Sequence, residues 1–276
     1  MTRFRVDPDD WRRQGQERFL AGRAWRFRAY ESPRPSWDHD HCEFCGGKFS
    51  LAKEDLHSGY VTTDDQHWVC SPCFEDFREE MRWGVTHQFF QLHNNVDADV
   101  WQLGMVRDPM GNAVDEVLFT SGEQVQGSPR LRVSVQAAGE KSTFSFAAFG
   151  IPVVEAELAH KLCSEFPTAL QALPVEQELE ARGRGEHLSV LVVTRLVDCV
   201  DEALSEIQYW PEEYPGEQES PYRAVTSLVL RAAAVQHEPI FRVARWPVAL
   251  VVREDVKQRL EALGATGIDF EPVSVR

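Results

Sequence analysis

Hydrophobic and polar positions recur in short blocks along the chain, and the period of each block predicts its element. Residues 60–63 and 67–69 have strand-like alternation, with Asp64 and Asp65 between them as turn residues, which predicts a hairpin. Phe74, Phe77 and Met81 then recur at i, i+3 and i+7, one face of a helix. Pro72 sits just inside that helix, where a missing N–H costs nothing. Farther along, 114–120 and 131–135 read as half-buried strands, and 188–194 and 227–231 as strands from their β-branched content. Residues 151–158 lead into a helix on which Leu158, Leu162 and Phe166 repeat at i, i+4 and i+8. At the C-terminal end the pattern is strand (247–252), helix (254–263) with Val256, Leu260 and Leu263 on one face, and strand (267–275). Gly264 stands where a helix C-cap favours glycine. Strands and helices in this irregular order predict an α+β fold rather than a doubly wound sheet.

Cysteine placement adds a second layer. Cys42-Glu-Phe-Cys45 and Cys70-Ser-Pro-Cys73 are two tight pairs separated by 24 residues. Four thiolates at this spacing can occupy the corners of a tetrahedron, as a structural zinc ion requires. Gly46 and Gly47 follow the first pair, where a knuckle turns and backbone N–H groups point at sulfur. Knuckle, hairpin and a helix carrying the last two ligands predict a treble clef, with a plain zinc ribbon as the other architecture. His39, His41, His57 and His67 lie near these cysteines; with four thiolates available, they read as solvated or supporting groups. A closed four-thiolate site has no open position, so it stabilises rather than catalyses. Cys163 and Cys199 stand alone in apolar segments and read as inert buried thiols.

Three segments follow from these patterns: a basic arm over 1–24, a four-cysteine module over 25–84 and an α+β body over 85–276. Charge is unevenly spread over the 276 residues. Residues 1–36 carry nine Arg against five acids, net +4, and the remaining 240 residues are −19 within a total of −15. The arm's Trp11, Phe19, Trp25 and Phe27 stand among its arginines, a mix that suits either nucleic-acid contact or simple packing. An acidic body argues against gripping phosphate backbones and favours a basic partner. No secretory pattern opens the chain and no apolar run approaches a membrane span, so a cytoplasmic location is expected. There thiols stay reduced, which favours metal over disulfides. No Gly-rich phosphate loop after a strand, no Gly-x-Ser-x-Gly elbow and no His-Glu-x-x-His helix is present, and nothing nominates an enzyme.

A further set of motifs is more specific. Trp101-Gln-Leu-Gly104, Asp108-Pro-Met-Gly111, Leu118-Phe-Thr-Ser-Gly122 and Phe149-Gly-Ile-Pro-Val-Val154 are followed by Val197-Asp-Cys-Val-Asp-Glu202 and Trp210. The densest stretch runs from Pro239 to Val252 and on from Leu263 to Pro272. Together these residues, over roughly 88–276, resemble the immunity protein eleven family of bacterial polymorphic toxin systems. The resemblance implies an α+β protein that protects a bacterium by binding a cognate toxin, with nucleases as a frequent toxin class. The cysteine module lies outside the resembling stretch.

A body this acidic can be steered onto a basic nuclease and cover its cleft. Asp198, Asp201 and Glu202, with Glu212, Glu213, Glu217 and Glu219 around Trp210 and Tyr214, form the expected contact surface, because carboxylates interleaved with aromatics suit a binding hot spot. The alternative function is a zinc-containing nucleic-acid-binding or regulatory protein that reads through the arm and module. An enzyme with an unrecognised site is the third class. Oligomeric state is not legible.

Overall fold

The structure is a computed structural model that describes residues 6–34, 36–95, 99–177, 187–211 and 221–276. The chain divides into two units, Met1–Gln88 and Phe89–Arg276. Basic and acidic side chains number 13 and 16 in the first, net −3, and 16 and 28 in the second, net −12, so the acid excess belongs mainly to the second unit.

The first unit contains, in chain order, α1 (Glu17–Leu20), β1 (Ala24–Ala29), β2 (Asp40–His41), β3 (Lys48–Phe49), β4 (Ser58–Thr62), β5 (Trp68–Val69), α2 (Ser71–Phe77) and β6 (Gly84–Val85). β5, β4, β1 and β6 form a four-stranded sheet, and β2 pairs with β3 as a separate hairpin. The hairpin expected at 60–69 is present, with Tyr60 opposite Val69 and Val61 opposite Trp68. Its turn is built by the two aspartates: Asp65 takes a left-handed φ of 59°, and Asp64 accepts from the Thr62 hydroxyl at 2.6 Å. The core is aromatic, with Trp25, Phe49, Phe74 and Phe77 fully buried and Tyr60 stacked on Phe74 at 3.6 Å between centroids. The basic arm belongs to this core: Val6 and Leu20 are buried in it, and Trp83 Nε1 donates to the Leu20 carbonyl at 2.8 Å.

The second unit contains β7 (Phe89–Asn94), β8 (Gln102–Arg107), α3 (Val117–Thr120), β9 (Leu131–Ala137), β10 (Phe144–Ala147), β11 (Ile151–Glu155), α4 (Ala156–Glu165), β12 (Leu170–Gln177), β13 (Leu188–Val193) and β14 (Leu196–Val197). It continues through β15 (Glu206–Tyr209), β16 (Tyr222–Ser227), β17 (Val229–Leu230), α5 (Ala232–Val235), β18 (Ile240–Val243), β19 (Trp246–Arg253), α6 (Glu254–Ala262) and β20 (Ile268–Val275). Two six-stranded sheets result, ordered β10-β11-β13-β12-β9-β8 and β14-β18-β19-β7-β20-β17. Most neighbours are antiparallel, which places the molecule in the expected α+β class.

Alternation along single strands sorts the side chains into three cores. On β13, Leu191 and Val193 join a central cluster, and Leu188, Val190 and Val192 join another on the opposite face. On β19, Leu250 and Val252 face the central cluster, and Ala249 and Val251 face a third. The central cluster therefore lies between the two sheets, and it takes in Leu158 and Leu162 of α4 and Val256 and Leu260 of α6. β13 is buried along its whole length, which its β-branched, two-faced apolar sequence requires. α6 ends in the expected way. Gly264, at φ 73°, donates to the Glu261 carbonyl and Ala265 donates to the Leu260 carbonyl, both at 3.0 Å, a Schellman cap.

Two sequence expectations are corrected. Residues 114–120 are not a strand: Asp115 Oδ1 accepts from the Val117 N–H at 3.0 Å, and this side-chain bond starts the helical turn α3, with Phe119 buried. The strand expected at 227–231 breaks at Leu228 into β16 and β17, which pair in different sheets. There the Ser205 hydroxyl accepts from the Val229 N–H at 3.0 Å and the chain changes partner. Among the described residues no helix is long and apolar enough to cross a membrane.

Candidate functional site

The paired cysteines arrive at one point from separate local structures. Cys42 and Cys45 flank the turn of the β2–β3 hairpin. Cys42 N–H donates to the Gly47 carbonyl at 2.8 Å, and Gly46, at φ 70°, donates to the Cys42 carbonyl at 2.9 Å. Glycine is what lets the chain reverse so tightly here. Cys70 is the N-cap of α2 and Cys73 lies in its first turn, one residue past Pro72. The Cys70 N–H points at Cys42 Sγ from 3.4 Å, joining the two halves. All four Sγ atoms lie within 4.8 Å of one another, and Cys45 Sγ is 3.6 Å from Cys70 Sγ. Sulfurs on a tetrahedral zinc ion, with Zn–S of about 2.3 Å, stand about 3.8 Å apart, so the cluster can hold an ion of that size with little movement.

The four sulfurs compete for negative charge. Cys42 is held well below the usual thiol range because Cys70 and Cys73 donate to its sulfur. Cys70, in turn, is pushed up to about 12 by the same contact, and Cys73 is also raised. Without a cation, one sulfur ionises at the expense of its neighbours; a dication at the centre removes that conflict. Arg12 Nη1 approaches Cys73 Sγ at 3.5 Å while also pairing with Asp76 at 2.8 Å. His67 meets Glu43 at 2.7 Å and His39 meets Asp38 at 2.7 Å, and among the described residues no histidine joins the cluster. The remaining thiols look unreactive. Burial pushes Cys199 up to about 12 and raises half-buried Cys163.

The arm's arginines are largely committed within this unit. Arg13 binds Glu80 at 2.7 Å, Arg23 binds Asp64 at 3.0 Å, and Arg26 and Arg28 share Asp65 at 2.6 and 3.1 Å. Arg12 and Arg13 also lie over the Phe77 ring, at 5.0 and 5.3 Å.

In the second unit Asp198, Asp201 and Glu202, the acids of the expected surface that lie among the described residues, all have internal work. Asp198 pairs with Arg231 at 3.2 Å. Asp201 caps its own turn, accepting from the Ala203 N–H at 3.1 Å. Glu202 accepts from the Tyr222 hydroxyl at 2.6 Å and is ion-paired with Arg245, a residue at φ 67°. Desolvation, helped by that carboxylate, pushes Tyr222 up to about 12. Trp210 lies beneath the Arg223 guanidinium at 5.9 Å. Glu212, Glu213, Tyr214, Glu217 and Glu219 fall outside the described residues. Glu202→Ala is expected to lower stability by about 1–3 kcal/mol, because it removes the carboxylate that both accepts from the buried Tyr222 hydroxyl and pairs with Arg245. Thermal melting of the purified variant checks this.

A family model described as "Immunity protein family (Imm11)" matches residues 62–275. The chain belongs to this immunity protein family. The match begins within the β4–β5 hairpin, so it takes in Cys70, Cys73 and the second unit up to Val275, and extends N-terminal of the resembling stretch read from the sequence. An immunity protein family implies binding a toxin as its partner. No curated protein matches the chain.

Proposed function

We propose that this chain neutralises a cognate toxin of a bacterial polymorphic toxin system by stoichiometric binding, without catalysis, in the cytoplasm. Family membership over 62–275 carries the reading. The target class is a basic nuclease, and the acidic second unit supports that choice: charge complementarity accelerates encounter and lets carboxylates occupy a site built for phosphates. The acids around Asp198, Asp201 and Glu202 contribute through the field of the unit. The competing function, a zinc-containing reader of nucleic acid, has less support, because five of the nine arginines in residues 1–36 (Arg12, Arg13, Arg23, Arg26 and Arg28) are already paired with carboxylates.

The test is an affinity pull-down of the tagged chain from its native host at moderate salt. A single basic toxin domain recovered near one to one is the expected result, and the purified pair should show the toxin's activity abolished at equimolar ratio. Recovery of nucleic acid or transcription machinery without a toxin would sink the reading.

The four cysteines are proposed to hold one structural zinc ion in a treble-clef arrangement. Cys42, Cys45, Cys70 and Cys73 would be its ligands, and the ion would lock the β2–β3 turn to α2. Arg12 would offset the excess negative charge of four thiolates through its contact with Cys73. Arg12→Ala is accordingly expected to weaken zinc binding roughly ten- to a hundredfold. Competition with a chromogenic chelator measures this, and an unchanged zinc affinity would remove Arg12 from the site.

A further inference from the structure

The strongest unexplained feature of the second unit is Phe149. It sits at the tip of the β10–β11 connection with φ 61° and ψ 24°, left-handed backbone that a bulky side chain rarely adopts. Gly150 follows, also left-handed at φ 65°. Two such residues in succession occur in primed hairpin turns, where Asn, Asp or Gly is favoured. Here the first position is an aromatic whose ring is not stored in the core: Phe149 is 45% exposed. Strain of this kind, kept at a surface tip, marks a residue held for contact.

Phe149 does not stand alone. The Gly150 backbone lies against β19 so closely that a Cβ there would stand 2.6 Å from the Val248 carbonyl, and Val248 is 44% exposed. Leu196, 42% exposed, pairs with Arg242 across β14 and β18, which places it on the same face of the sheet as Arg242. Arg242 ties these pieces together from below. It is fully buried, Nη2 donates to the Gly150 carbonyl at 2.9 Å and Nη1 donates to the Pro247 carbonyl at 2.6 Å. The turn that carries Phe149, the strand that carries Val248 and the strand partnered with Leu196 are thus fixed to one guanidinium.

Beside Leu196 opens a cleft of about 530 Å³ whose walls include Glu123, Asp198 and Glu238 against a single cation, Arg195. Arg195 is already bound to Glu238 at 2.9 and 3.0 Å, and Asp198 to Arg231, while Glu123 is exposed. The combination is three exposed apolar side chains around one rigid support, with an acid-rich cleft beside Leu196. It fits a protein surface that presents an apolar side chain next to a lysine or arginine.

The geometry points to the Phe149–Val248–Leu196 face, with the Glu123–Asp198–Glu238 cleft at its rim, as the surface that docks the toxin. The occupant is the basic surface of the toxin, on the ground of charge complementarity with the cleft and with the −12 unit that carries it. The inference rests on the immunity reading above and goes beyond it by assigning the contact to a face that excludes the exposed Leu204 and Tyr209, which lie beside the Asp201–Glu202 turn.

The test uses full-length tagged chains in the native host. A photo-crosslinking benzoyl-phenylalanine replaces Phe149, Val248 or Leu196, and in controls the more exposed Met110 or Leu204. Adducts from 149, 248 and 196 with the toxin recovered by the unsubstituted chain, at least tenfold above both controls, are the expected result. Phe149→Gly supplies the second arm: glycine relieves the left-handed strain, so the variant should melt no lower than the parent, yet bind the recovered toxin at least tenfold more weakly. Toxin recovered with the unsubstituted chain but crosslinked chiefly from Leu204 or Met110, or bound undiminished by Phe149→Gly, overturns this surface and leaves the immunity reading standing. Recovery of no toxin by the unsubstituted chain overturns the immunity reading, and this surface with it.

Discussion

A chain in which Cys42 and Cys70 are both serine is expected to bind no zinc and to lose the fixed packing of its first unit. Regular structure is sparse in the half of the unit around the cysteines. β2 and β3 are two residues each, and β5, which leads into Cys70, is also two residues long. Such strands cannot stand by themselves, and apart from the cysteines the turn between β2 and β3 meets α2 through Phe44, stacked on Phe77 at 4.3 Å between centroids. A structural zinc site contributes about 10–16 kcal/mol in small metal-dependent domains, more than a domain of this size has in reserve. The aromatic core opposes full collapse into a random chain, because Trp25, Trp83, Phe74 and Phe77 bury large apolar surfaces against β1 and α2. The expected state is therefore a loosened unit with exposed aromatics rather than an extended one. Five of the eight tryptophans (Trp11, Trp25, Trp37, Trp68 and Trp83) lie in this unit, so a red shift in their fluorescence and loss of near-UV dichroism report it directly. Elemental analysis should fall from one zinc per chain to none, and a strong chelator acting on the parent should reproduce both changes. A chain with all four paired cysteines replaced that retains one zinc and the parental melting point would refute the site.

Local chemistry explains what was readable in the sequence. The 60–69 hairpin could be read because alternation, two aspartates and a short turn all act within ten residues. The cysteine cluster was equally readable: a Cys-x-x-Cys pair is a geometric device in itself, and Pro72 and Gly46 announce how the backbone must turn around it. α6 and its glycine cap obey the same rule. Residues 114–120 misled because Val, Leu and Phe carry strand propensity, while the deciding interaction is one Asp115 side-chain bond to the backbone. Such bonds compete with strand pairing and are invisible to a hydrophobic count. The acidic surface shows the opposite difficulty. Asp198, Asp201 and Glu202 read as free carboxylates, and their partners Arg231 and Arg245 lie 33 and 43 residues away, on elements whose proximity is set by sheet order. Phe149 entered only as the head of a family-like motif; its left-handed backbone was not legible, since the turn imposes it and not the residue type.

Arg242→Ala is expected to lower the stability of the second unit by about 3–5 kcal/mol, a fall of roughly 10 °C in melting temperature. Two large terms oppose each other. The guanidinium is fully buried and, among the described residues, no carboxylate pairs with it. Desolvation pulls its pKa down to about 10, so it remains charged at neutral pH at a cost of roughly 3 kcal/mol, on the scale of 1.4 kcal/mol per unit. Truncation to alanine removes that penalty. It also deletes two buried methylenes at about 0.8 kcal/mol each and opens a cavity costing about 2 kcal/mol more. The Gly150 and Pro247 carbonyls, now 2.9 and 2.6 Å from their donors, would then be buried without partners, at about 1–3 kcal/mol each. The losses exceed the relieved charge, so alanine destabilises. Arg242→Met separates the terms: it keeps most of the stem and removes the charge, so only the two carbonyls are left to pay against roughly 3 kcal/mol regained, and stability should stay within about 2 kcal/mol of the parent. Paired thermal or denaturant melts of the two variants decide it. Alanine melting within 2 °C of the parent would show that Arg242 holds neither turn. If methionine falls as far as alanine, the carbonyl bonds dominate, and Arg242 acts chiefly as the clip that fixes the Phe149 turn to β19.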